Sequence, residues 1–86
     1  MKTFKDLEFK HHSIGNGVQA VMTFKNKRGV SVVKLRGSYG YPNLYELVVL
    51  NKNGGLDYTT DITDDVLGDL TEEDVTNTIH KVEILD

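Results

Sequence analysis

Over residues 4–60 apolar and polar positions alternate with the two-residue period of half-buried strands, and after residue 70 the spacing changes to that of a helix. In the stretch 4–10, Leu7 and Phe9 alternate with Asp6, Glu8 and Lys10, which predicts a first strand. Phe4 falls on the other parity and is placed to cap an end or to precede the strand. Gly15-Asn16-Gly17 predicts a turn, since both residue types tolerate positive φ. In 18–25, Val18, Ala20, Met22 and Phe24 share one face. Asn26-Lys27-Arg28-Gly29 then predicts a tight hairpin with Gly29 in the left-handed region. The third strand, 30–36, leaves its parity open: Val30 and Val32 oppose Val33 and Leu35, so either both faces are partly covered or a bulge shifts the register.

Residues 37–43, G-S-Y-G-Y-P-N, predict an irregular loop, and the near-continuous apolar run 44–51 predicts an interior strand. Asn53-Gly54 is the signal of a type I′ hairpin, with a fifth strand over 56–60. Thr63 is placed to start a short helical turn through Asp64, Asp65, Val66 and Leu67, with Gly68 ending it. Thr71 reads as the N-cap of a true helix. Asp74 at N3 completes a capping box, and Leu70 and Val75 are spaced for a hydrophobic staple. Val75, Ile79 and Val82 form the apolar stripe, with His80, Asn77 and Glu83 off it. The predicted fold is therefore a single α+β domain over 1–86. It is an antiparallel meander of about five strands, with a short helical turn and one C-terminal amphipathic helix packed on one face.

Composition narrows the functions. The 86 residues are 38% hydrophobic and 27% charged, an ordinary soluble balance, and contain no cysteine, which excludes disulfides, thiolate metal sites and a cysteine nucleophile. No apolar run approaches the ~18–20 residues of a membrane span, and the start of the chain has no signal-peptide apolar core, so a cytoplasmic location away from membranes is expected. The net charge of −3 divides unevenly: residues 1–54 carry +6 and residues 55–86 carry −9. The molecule is thus expected to be dipolar, with a basic β part and an acidic C-terminal part.

Specific chemistry finds little support. His11 and His12 are adjacent and so point to opposite faces of a strand, and no carboxylate stands at ligand spacing from them or from His80, so no metal is expected. Asp61, Asp64, Asp65 and Asp69 lack the spacing and glycine of a calcium loop and fit helix starts, though they also offer an acidic surface to a basic partner. Gly37-Ser38-Tyr39-Gly40 matches neither a phosphate loop nor a nucleophile elbow. No enzyme activity and no cofactor are expected. Tyr39, Tyr41 and Tyr45 with Arg36 are the leading candidate binding surface, because tyrosine and arginine dominate interface hot spots and loops carry binding sites. The same tyrosines also suit closure of one end of the sheet. Lys25, Lys27, Arg28 and Lys34 flank one hairpin and offer a nucleic-acid surface, against an overall acidic charge.

The segments G-V-Q-A-V-M-T-F (17–24), S-V-V (31–33), Y-E-L-V-V-L (45–50) and above all I-T-D-D-V-L-G-D-L-T-E-E-D-V (62–75) resemble small uncharacterised proteins encoded by tailed bacteriophages. The resemblance spans most of the chain. It implies a phage-infected or prophage-bearing bacterial cytoplasm and no particular chemistry. Small acidic phage proteins often act by binding a host protein or complex. The leading expectation is therefore a non-enzymatic module that binds a host protein. A nucleic-acid-binding accessory protein and a small-ligand binder with a pocket lined by the tyrosines are the alternatives. An exposed edge strand also allows a homodimer by sheet extension.

Overall fold

The computed structural model describes residues 2–11, 17–35, 44–57 and 67–85. A 3-10 turn at Phe4–Asp6 is followed by strands β1 (Lys10–His11), β2 (Gly17–Thr23), β3 (Gly29–Leu35), β4 (Tyr45–Leu50) and β5 (Leu67–Leu70), then helix α1 (Glu72–Glu83). The strands pair antiparallel in chain order, β1-β2-β3-β4-β5, so the fold is the expected α+β meander with a C-terminal helix. Among the described residues no helix is long and apolar enough to cross a membrane.

Residues directly opposed on antiparallel strands point to the same side of a sheet. The rows Ala20–Val32–Leu47 and Met22–Val30–Val49 therefore form one face. That face carries the core: Ala20, Val30, Val32, Leu47 and Val49 are buried with Val75, Ile79 and Val82 of α1. Burial of each such side chain stabilises the fold by ~1.5–3 kcal/mol. The parity of β3 is resolved without a bulge. Val30 and Val32 are fully buried, Val33 lies half-buried on the opposite face, and the β2–β3 register is continuous.

The helix starts where the sequence predicts. Asp74 N–H donates to Thr71 Oγ1 at 3.1 Å and Thr71 N–H donates to Asp74 Oδ2 at 3.0 Å, a complete capping box. Glu72, Glu73 and Asp74 place negative charge against the positive end of the helix dipole.

Four expectations are corrected. The segment 4–10 is not one strand: Thr3 N–H donates to Asp6 Oδ2 (2.8 Å) and Asp6 N–H to Thr3 O (3.0 Å), closing a 3-10 turn before a two-residue strand. That turn carries Phe4 into the core margin. The fifth strand is Leu67–Leu70, not 56–60. Within 56–60, Leu56 forms only an isolated bridge with Leu50, and 58–60 lie outside the described residues. Leu67 and Gly68 thus belong to a strand and not to the close of a helical turn. The cause is a bulge: Tyr45 and Leu47, two apart on β4, pair with Leu70 and Leu67, three apart on β5. The extra residue brings both leucines to the core side with a spacing that mimics a helix.

The third and fourth corrections concern the hairpins. The positive φ near Gly29 belongs to Lys27, at 69°. Gly29 is required for another reason: a Cβ there would meet the Met22 carbonyl oxygen, which is backbone and cannot swing aside. At 51–55 only Gly54 has positive φ, 84°, so the turn is not type I′. Both hairpins are instead the same three-residue loop. Lys27 N–H donates to Phe24 O (2.9 Å) and Phe24 N–H to Arg28 O (2.8 Å); Gly54 N–H donates to Asn51 O (3.0 Å) and Asn51 N–H to Gly55 O (2.8 Å). Each is a type I turn followed by one left-handed residue.

Candidate functional site

The meander has two ends with different chemistry. At one end β2 begins, β3 finishes at Leu35, β4 begins at Tyr45, β5 finishes at Leu70 and α1 starts. Arg36, Tyr39 and Tyr41 lie outside the described residues, as do Asp61, Asp64 and Asp65.

Tyr45 is not part of an exposed tyrosine surface. It alternates with Leu47 and Val49 on the core side of β4 and is 8% exposed. Its ring centroid lies 5.1 Å from Phe4 and 5.7 Å from Phe9, and those two lie 5.6 Å from each other. These are the separations of favourable tilted and edge contacts. The Lys34 ammonium sits 4.7 Å from the Tyr45 centroid, a cation–π contact on the rim of the cluster. The aromatic group closes this end of the sheet and forms its base.

Asp69 lies on the edge strand beside that base. It is exposed and has φ of 57°, the left-handed region, which aspartate enters more readily than most residues with a Cβ. Gly68, its neighbour, could occupy the region without cost. Among the described residues the Asp69 carboxylate has no hydrogen-bond partner.

The other end holds the two hairpins, the helix C-terminus and most of the described basic residues. Lys25 and Lys27 are exposed, whereas Arg28 is committed: its guanidinium Nη1 lies 2.9 Å from Asp57 Oδ2, with the side chains 20% and 10% exposed. Lys34 is six residues further along β3, roughly 20 Å away at ~3.3 Å per residue. The four cations proposed for nucleic acid are thus divided between the two ends, and two of them already hold a partner.

Asn26 has a role that sequence reasoning did not reveal. Its amide Nδ2 donates toward the carbonyls of Val82 (2.9 Å), Glu83 (3.2 Å) and Leu85 (2.9 Å), while its Oδ1 accepts from Arg28 N–H (3.1 Å). A hairpin side chain thereby supplies a donor to two of the carbonyls at the C-terminus of α1, where a helix leaves its last carbonyls without intrahelical partners, and to the Leu85 carbonyl just beyond. An open cleft of about 520 Å³ lies at the same end, lined by Lys2, Asp6, Thr23, Phe24, Lys25 and Glu83. Tyr45 does not line it. His11 is exposed on β1, and His80 on α1 has its Nε2 buried without a hydrogen-bond partner among the described residues.

Comparisons with protein-family models, curated proteins and solved structures found no match to this chain.

Proposed function

We propose that this chain is a non-enzymatic protein-binding module whose contact residues include the exposed Asp69 on β5 and the tyrosines Tyr39 and Tyr41. The observation that carries this reading is Asp69. A residue with a Cβ in the left-handed region is disfavoured relative to glycine, aspartate less than most, and here the side chain is exposed with a glycine immediately beside it. Strain retained at an exposed position points to a use for the side chain outside the fold. The resemblance to phage-encoded proteins supplies the setting, a bacterial cytoplasm, and the class of partner, a host protein or complex. Tyr39 and Tyr41 add the aromatic anchors such a contact needs.

The test is affinity capture from bacterial lysate with the wild type and three variants. Asp69→Gly should raise stability by ~0.5–1 kcal/mol through release of strain and yet weaken capture of the partner. Tyr39→Ala and Tyr41→Ala should leave the urea midpoint unchanged and weaken the same capture. Undiminished capture by all three variants would sink the reading. The nucleic-acid alternative keeps only Lys25 and Lys27 as exposed cations, and it requires binding that falls steeply with salt and with Lys27→Glu.

A further inference from the structure

The sheet has a second face, distinct from the surface proposed above. The rows Lys10–Gln19–Val33–Glu46 and Val21–Ser31–Val48 point away from the core. Among the described elements, α1 meets the 3-10 turn, β3, β4 and β5, and nothing packs on this other side. Val21 is 59% exposed there, with Val33 and Val48 half-buried around it. The polar residues between the valines answer each other: Gln19 Nε2 donates to Ser31 Oγ at 2.9 Å. Covering this centre would bury apolar surface with one Gln19 N–H and the Ser31 oxygen already paired.

We propose that this face packs against the same face of a second copy, in a two-fold dimer whose axis runs parallel to the strands between β2 and β3. The charge pattern chooses both the partner and the orientation. One row carries Lys10 at the β1 side and Glu46 at the β4 side, with Gln19 and Val33 between. A two-fold axis along the strands reverses that row, so each Lys10 stands opposite the partner's Glu46, twice. An axis across the strands would instead set Lys10 on Lys10 and Glu46 on Glu46, which is repulsive. Facing sheets stand ~10 Å apart, a gap that an extended lysine and glutamate together span. Glu46 already has an interaction in its own chain, and the two oxygens of its carboxylate leave room for a second donor.

The alternative, dimerisation by strand addition, has poor material: β1 has two residues, and β5 has four and is bulged. Short and bulged edges resist strand addition. The open face spans about 23 Å by 19 Å at ordinary strand spacings, roughly half of the ~800 Å² per partner that stable interfaces bury. The dimer is accordingly weak and concentration-dependent.

Sedimentation velocity from ~10 to ~500 µM, the range of weak complexes, tests the proposal. The expected result is a shift from 9.7 kDa toward twice that mass. Val21→Glu should hold the chain monomeric with its circular dichroism unchanged. Lys10→Glu and Glu46→Lys should each weaken association at least ~5-fold, as for a single favourable charge pair, and the double swap should restore it. A monomer at every concentration overturns the proposal, and so does a dimer indifferent to Val21→Glu or a double swap without recovery. A monomer that loses capture of a different protein on Val21→Glu also overturns it, by assigning the face to a foreign partner.

Discussion

The hairpins at 24–28 and 51–55 are the same backbone loop put to opposite uses. In the second, the left-handed position is Gly54, and Asn51 turns its side chain inward: its Oδ1 accepts from Asn53 N–H (2.8 Å) and Gly55 N–H (3.0 Å). That loop is complete within its own five residues. In the first, the left-handed position is Lys27, and the asparagine, Asn26, sends its amide across to the helix end. That loop is locally strained and held by tertiary contacts. The comparison shows that one turn type can close a hairpin or dock a distant element, according to where its asparagine stands.

The largest test of this contrast removes what ties the two hairpins together. Asp57 follows the second loop and pairs with Arg28 of the first. Asp57→Ala should cost about 3 kcal/mol, since it strips a partner from a largely buried guanidinium; urea unfolding reads the loss. Next comes Asn26→Ala, expected to cost about 2 kcal/mol because it removes the amide that bonds the Val82, Glu83 and Leu85 carbonyls. Hydrogen exchange should show the last turn of α1 fraying while the 51–55 loop is unaffected. Asn51→Ala should cost about 1 kcal/mol and leave exchange in α1 unchanged. Equal losses and equal fraying from the two asparagines would erase the distinction. The smallest effects are at the left-handed positions. Gly54→Ala should destabilise by ~1 kcal/mol, and Lys27→Gly should stabilise by up to ~0.5 kcal/mol, with strain release partly offset by unfolded-state entropy.

What could be read from the sequence was what is encoded locally. The capping box at Thr71 and Asp74 needs only four consecutive residues, and the stripe Val75, Ile79, Val82 only two turns, so α1 was legible in full. The strand pairing of β2, β3 and β4 was legible because alternation is long there. The edge strands were not. Thr3 and Asp6 impose a local turn on an alternating stretch, and the bulge at Asp69 gives Leu67 and Leu70 a helical spacing inside a strand. Within the candidate site, Tyr45 groups by sequence with the loop that precedes it, whereas its parity with Leu47 and Val49 marks it as a core residue. The reach of Asn26 to Val82 spans 56 residues, and no local pattern encodes it.

That long reach has a kinetic consequence. Every strand pairs with its neighbour in sequence, so the sheet can form by successive closures between adjacent strands, the longest across 51–66 between β4 and β5. The end of α1 is different, since the Glu83 carbonyl and the Leu85 carbonyl beyond it meet the Asn26 amide only when a finished hairpin is brought to them. During synthesis β2, β3 and β4 emerge before the helix does. The sheet can therefore assemble first, and capture of the helix end by Asn26 is the step that completes the fold.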